Sequence, residues 1–102
     1  MRMLRISVIE SPRRCRLVVE GKLIAPWAAE LTKECREAAA DLRGRELVIE
    51  LRNVTSISED GKNVLLDLMK EGVRFRSSGV FTRHVMKRLA HKIRRNVQES
   101  ER

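Results

Sequence analysis

The residues best placed to do chemistry stand together as Ser58-Glu59-Asp60-Gly61, at the start of a stretch with helical periodicity. At a helix start the first backbone N–H groups lack partners, and the positive end of the helix dipole is exposed. A hydroxyl can accept a hydrogen bond there, and carboxylates are stabilised by the dipole. These residue types therefore predict helix capping by Ser58. Alternatively, Ser56 caps the helix and Glu59 reaches back, as in an S-x-x-E capping box.

Other reactive side chains do not form a recognisable catalytic or metal-binding set. His84 and His91 are seven residues apart, without a Cys or an acid to complete a set of metal ligands. Cys15 and Cys35 have no CxxC spacing and are expected to be reduced thiols. No P-loop, GxGxxG motif or Ser/His/Asp arrangement occurs. We therefore expect no catalytic residues, no metal, no cofactor and no enzymatic activity.

Positive charge is the second feature with chemical consequences. The chain has a formal net charge of +8, and from residue 82 to residue 102 there are seven cations and two anions. On a helix, six of these cations would form a basic face: Arg83, Lys87, Arg88, Lys92, Arg94 and Arg95. Such a face can be merely solvated, or it can bind nucleic acid, an anionic membrane or an acidic protein. It has no interleaved aromatic residues for base stacking.

Length and composition predict one small domain with an aliphatic core, because the 102 residues are 42% hydrophobic and only 3% aromatic. No apolar run approaches the ~20 residues that span a bilayer. The N-terminal segment also lacks the apolar region of a secretion signal. We therefore expect a soluble, cytoplasmic protein without direct membrane insertion.

The hydrophobic pattern of the first half predicts two strands and a helix. Leu4, Ile6 and Val8 alternate with polar residues, and a second strand at residues 15–20 ends at Gly21, which suggests an antiparallel hairpin. Pro26 is expected in the first turn of a helix that ends near Gly44. The apolar stripe of that helix comprises Trp27, Leu31, Cys35, Ala38 and Leu42. Trp27 is expected to be a core or rim anchor, with a partner contact as the alternative.

The second half predicts two further strands and two further helices. Residues 46–51 are apolar on both faces, which is typical of a central strand covered on both sides. A helix is expected at residues 59–71, a strand at 73–76 and a last helix from about residue 82. The inward positions of these helices are Gly61, Val64, Leu65 and Leu68, and then Val85, Leu89, Ile93 and Val97. Strands joined through a helix are normally parallel.

The order β-β-α-β-α-β-α, with the acidic turn after the third strand, resembles the STAS domain, the fold of bacterial anti-sigma-factor antagonists. The resemblance covers residues 4–89 and is most specific at residues 47–72. Family members carry an apolar strand, a V-T pair, an apolar residue, D-S-S-G, and an apolar helix ending in glycine. The matching residues are Val54-Thr55, Ile57, Gly61, Val64-Leu65-Leu66 and Gly72-Val73-Arg74-Phe75. The resemblance implies a single α/β STAS-like domain at residues 1–97, a small mixed β-sheet with a helical layer. A polar tail follows at residues 98–102.

The chain departs from the family at the centre of this motif. The serine that the family phosphorylates falls on Glu59, because D-S-S-G is replaced by Ser58-Glu59-Asp60-Gly61. In the family, an anti-sigma factor that is also a kinase phosphorylates that serine. Only the unphosphorylated STAS protein binds the anti-sigma factor and frees sigma. Glu59 cannot accept a phosphate. With its single negative charge, Glu59 is a partial mimic of phosphoserine, which has a charge of about −1.5 to −2. Alternatively, Glu59 indicates that the phosphorylation switch has been lost. Phosphorylation of Thr55, Ser56 or Ser58 would be displaced from the family position.

The resemblance therefore implies a non-enzymatic, regulatory protein-interaction module. Its partner would be an anti-sigma factor or a kinase-like regulatory protein, and a homodimer is also open. The expected docking residues are Ser56, Ser58, Glu59, Asp60, Gly61, Lys62 and Asn63. One alternative is a nucleic-acid-binding protein that uses the basic helix. Another is a STAS-type accessory subunit of a membrane transport complex.

Overall fold

The computed structural model describes the backbone of residues 3–100 and the side chains of residues 3–95. The elements follow the predicted order: β1 (Leu4–Glu10), β2 (Arg14–Leu23), α1 (Ala28–Ala40), β3 (Glu46–Ile57), α2 (Glu59–Lys70), β4 (Arg74–Ser77) and α3 (Val80–Ser100). None of the described helices is long and apolar enough to cross a membrane.

The four strands form one mixed sheet in the spatial order β1-β2-β3-β4. β1 and β2 form the predicted antiparallel hairpin, whereas β2 and β3, and β3 and β4, are parallel. β3 is therefore an internal strand, as its apolar sequence predicted, and β1 and β4 are the two edges of the sheet.

One face of the sheet holds an aliphatic core, as the composition predicted. Alternate residues of β2 and β3, including Leu17, Val19, Ile49 and Leu51, are buried on this face. All three helices contribute to the same cluster, through Leu31, Cys35, Leu65, Leu68, Val85 and Leu89. Leu42 is the exception among the predicted inward positions, because α1 ends at Ala40 rather than near Gly44 and Leu42 does not belong to this cluster. The other predicted inward positions are confirmed as far as the described side chains reach. The side chain of Val97 lies outside them.

The opposite face of the sheet is covered by charged side chains of the strands themselves. Val18 and Val48 are buried there, and their cross-strand partners are Glu50, Arg16 and Arg74. Arg16 Nε lies 3.4 Å from Glu50 Oε1, and Arg74 Nη1 lies 3.4 Å from Glu46 Oε1. Long arginine stems can cover apolar surface while their charged ends stay solvated. Strand β3 is thus covered on both sides, but by helices on one face only.

The largest difference from the predicted elements is the length of β2 and β3. The predicted strands end at residue 51 and at Gly21, but β3 continues to Ile57, and β2 continues through Gly21 to Leu23. The register shifts on both sides of Gly21, which has a φ of 98°, and Asn53 has a φ of 54°. Glycine and asparagine tolerate this left-handed conformation, so the irregularity bends the pair without ending it.

Smaller differences concern element ends and one side chain. Pro26 lies in the turn before α1 rather than in its first turn, and α3 begins at Val80 rather than near residue 82. Val8 faces the helix layer as predicted, yet it is 49% exposed because the core does not extend that far along β1. α3 continues to Ser100, so the domain boundary at residue 97 stays a prediction.

Candidate functional site

The predicted docking residues lie together in one segment, residues 56–63, which we call the α2 turn. Ser58 is extended, with φ −79° and ψ 174°, and its Oγ accepts a hydrogen bond from the N–H of Gly61 at 3.2 Å. Ser58 is therefore the N-cap of α2, as predicted. The alternative with Ser56 as the cap is wrong, because Ser56 lies within β3 and pairs with Lys22.

The α2 turn is fixed to the end of β2 by one carbonyl group. The Leu23 carbonyl accepts the N–H of Ser58 at 3.1 Å. The same oxygen lies against Gly61, so that a Cβ at residue 61 would approach it more closely than real Cβ atoms do. Such a Cβ would also lie 3.1 Å from Cγ2 of Ile57. Gly61 is thus required by close packing, since its φ is not in the left-handed region.

The acidic side chains of the α2 turn point away from this packed base. Glu59 and Asp60 are exposed in the first turn of α2, where the helix dipole favours negative charge. The Glu59 side chain is 85% exposed, and its Oε1 lies 3.4 Å from Lys62 Nζ. Asn63 is also exposed, whereas Lys62 is half-buried. The arrangement presents a small acidic surface on a rigid backbone.

The residues of the predicted basic face lie on α3. All six of its cations are exposed: Arg83, Lys87, Arg88, Lys92, Arg94 and Arg95. None of them forms an ion pair with an acid among the described side chains. His84 and His91 are exposed on the same helix, and the described residues contain no group of three or more potential metal ligands.

An apolar groove that is not among the features predicted from the sequence borders the basic face. The groove has a volume of about 610 Å³ and lies between the end of α2, β4 and α3. Its lining includes the half-buried side chains of Met69, Phe75, Met86 and Ile93 and the exposed cations Arg83, Lys87 and Arg94. The seven-residue spacing of Met86 and Ile93 was a signal. It could not reveal how far α3 stands from β4. Met69 follows Glu59 by ten residues on α2, which places the near end of the groove roughly 15 Å along the helix from Glu59.

The pKa values of the two buried thiols and of one surface carboxyl group are shifted in the folded protein. Both cysteines are free and buried, and burial raises the pKa of each thiol. At the C-terminal end of α2, the guanidinium of Arg36 forms a bidentate pair with Glu71, with Nη2 and Oε2 2.9 Å apart. This hydrogen bonding lowers the pKa of Glu71 below its usual range. The pair joins α1 to α2 and lies away from the α2 turn.

The order of elements, the mixed sheet and the capped turn after β3 define a STAS-like fold. Among solved structures, the chain matches the antisigma-factor antagonist STAS domain from Rhodobacter sphaeroides with a TM-score of 0.50 and 21% sequence identity. The match covers 76% of this chain and 87% of that one. No protein-family model and no curated protein matches the chain. The structural likeness confirms the predicted fold; at this identity it shows the fold alone.

Proposed function

We propose that this protein is a non-enzymatic regulatory module of a bacterial cytoplasm, and that it binds a partner protein through the α2 turn. The observation that carries the proposal is the pairing of an exposed acidic surface with a tightly packed base at this turn. A surface held in this way can be recognised without a large ordering cost on binding. The related fold, that of an antisigma-factor antagonist, supports an anti-sigma factor or a kinase-like regulator as the partner.

In this proposal Glu59 gives the module a constant charge. Because the side chain is largely exposed, it can contact a partner without rearrangement of the turn. A carboxylate here has one negative charge and two acceptor oxygens, fewer of both than a phosphoserine. The partner would therefore have to accept a permanent charge at the position where the anti-sigma factors of the family bind only the unmodified serine. A kinase would find no hydroxyl group to phosphorylate at residue 59.

The basic face supports a protein partner better than a nucleic acid. A duplex or a single strand could neutralise the cations of α3, but its phosphates would leave the apolar side chains of the neighbouring groove uncovered. An acidic protein segment with apolar side chains would match both. Nucleic acid binding through the basic face is the second candidate, supported by six exposed cations that form no ion pair with an acid among the described side chains. A STAS-type accessory role in a transport complex is a third proposal, and it rests on the fold alone.

The test begins with affinity purification of the native partner, followed by measurement of its affinity for the wild type and for Glu59→Ser. We expect Glu59→Ser to weaken binding about tenfold, because the substitution removes the charge from an exposed contact and leaves the Ser58 cap intact. Glu37→Gln is the matched control. Glu37 is exposed on α1, so its variant should bind as the wild type does.

Two outcomes would contradict separate parts of the proposal. Equal binding by the wild type and Glu59→Ser would show that the charge at residue 59 does not control partner binding. Unchanged binding by Asn63→Arg, which places a long cation on the same exposed surface, would show that the partner docks elsewhere. A purified partner that is nucleic acid, with affinity falling steeply as salt rises, would favour the second candidate.

A further inference from the structure

The two edges of the sheet differ in how they are protected from pairing with another strand. β4 has four residues, and two of them are the exposed arginines Arg74 and Arg76. Short length and charge are common protections of an edge strand. β1 has seven residues, no proline or lysine, and a regular register with β2 that contains no bulge. Only its ends carry charge, at Arg5 and Glu10.

The uncharged middle of β1 also exposes apolar side chains. Val8 is 49% exposed and Ile9 is 41% exposed, and together they are two of the four large hydrophobic residues that are exposed in the described part of the chain. Val8 is on the helix-covered face of the sheet, and Ile9 is on the charged face, opposite Arg16 of β2. Each face of the sheet therefore has one exposed apolar side chain next to the free edge of β1.

The backbone groups of β1 that have no partner within the described part of the chain can be assigned from its pairing with β2. Met3 O accepts from the N–H of Lys22, and the N–H of Ser11 donates to Arg14 O, each at 2.8 Å. Because hydrogen-bonded pairs alternate along an antiparallel ladder, Arg5, Ser7 and Ile9 use their backbone groups toward β2. The N–H and C=O groups that point outward belong to Leu4, Ile6, Val8 and Glu10.

We propose that β1 is a self-association surface, on which a second copy of this chain adds its own β1 in the antiparallel direction. With Ser7 opposite Ser7 of the second copy, Ile6 meets Val8 on the helix-covered face and Arg5 meets Ile9 on the charged face. All four outward residues then form hydrogen-bonded pairs. This register is self-complementary, as a two-fold interface requires, and it covers both exposed apolar side chains. The surface is independent of the partner surface at the α2 turn.

One strand pair buries less surface than a standard stable interface, so the dimer should be weak and concentration-dependent. Sedimentation velocity from about 5 to about 500 µM should show the wild type passing from monomer to dimer. Val8→Lys should weaken the dimer at least tenfold, because a lysine on an edge strand opposes pairing. Val80→Lys is the matched control: Val80 is 86% exposed at the start of α3, so this variant should dimerise as the wild type does.

A cysteine at the two-fold axis tests the register directly. In a non-hydrogen-bonded antiparallel pair the Cα atoms are about 4.5 Å apart, within the range that a disulfide spans. Ser7→Cys should therefore form a covalent dimer under mild oxidation, whereas Ser11→Cys should not. Ser11 is the more exposed of the two, so random collision would favour its cross-linking instead. The native Cys15 and Cys35 are 2% and 3% exposed and should not interfere.

Each result decides the proposal. Concentration-dependent dimers that Val8→Lys weakens and Val80→Lys spares, together with faster cross-linking of Ser7→Cys than of Ser11→Cys, would support it. A wild type that stays monomeric over the whole range would overturn it, as would a dimer that Val8→Lys leaves unchanged. Equal cross-linking of the two cysteine variants would overturn the register. Circular dichroism of each variant checks that the fold is intact.

Discussion

The α2 turn and the basic face of α3 are both charged surfaces, but they are held in different ways. The α2 turn is fixed by backbone contacts: the Ser58 cap, the Leu23 carbonyl and the close packing of Gly61. The basic face consists of exposed side chains without ion pairs to described acids, on a helix attached through Val85 and Leu89. Recognition at the α2 turn should therefore depend on geometry, and recognition at the basic face on charge and salt.

The largest effect that we expect comes from Gly61→Ala. The added methyl group would meet the Leu23 carbonyl and Ile57, and the carbonyl cannot retreat without losing the N–H of Ser58. We expect a loss of about 2–3 kcal/mol in the free energy of unfolding, measured by urea denaturation. Asn63→Ala, two residues later on the exposed side of α2, should change stability little. A Gly61→Ala variant as stable as the wild type would show that the turn is more adaptable than its contacts indicate.

The second effect is the loss of the helix cap. Ser58→Ala leaves the N–H of Gly61 without its acceptor and should lower the free energy of unfolding by about 1 kcal/mol. Ser58→Asp should retain most of that stability, because a carboxylate caps equally well. Ser56→Ala should not reproduce the loss. If it did, the capping interaction would belong to Ser56 rather than Ser58.

A smaller effect is expected at the other end of α2, where Arg36 and Glu71 are exposed. The pKa of Glu71 is lowered in the folded state, so the pair contributes stability above the unfolded-state pKa of glutamate. That contribution is lost as the pH falls through the folded-state pKa. Glu71→Gln should therefore be less stable than the wild type at neutral pH, by less than Ser58→Ala, and the two should converge in acid. Urea midpoints at several pH values measure this, and a difference that persists in strong acid would contradict it.

The smallest effects on stability are expected on the basic face. Lys87→Ala and Arg88→Ala should each change the free energy of unfolding by no more than about 0.5 kcal/mol, because both side chains are exposed. Their influence should appear instead in the salt dependence of binding to an acidic partner, which a titration at several salt concentrations measures. A loss of stability comparable with that of Gly61→Ala would remove the distinction between the two surfaces.

The sequence was sufficient for the element order, the internal position of β3 and the Ser58 cap, since each depends on local periodicity or on a local hydrogen bond. The continuation of β3 to Ile57 was not predictable, because it requires the left-handed conformation of Asn53 and an irregular register with Gly21. The exposure of Val8 was missed for a related reason: alternation assigns a side chain to a face and does not say how far the helices cover that face. The groove depends in the same way on the spacing between α3 and β4.

Neighbouring positions of the α2 turn differ in what they can become. Residue 59 projects into solvent, so a serine, a glutamate or a lysine would be compatible with the same backbone. Residue 61 has no free volume, and it accepts one residue type. A single substitution at residue 59 can therefore make this surface phosphorylatable, permanently acidic or basic without a change of the fold. In an engineered regulatory circuit, residue 59 would be the residue to vary and residue 61 the residue to keep as glycine.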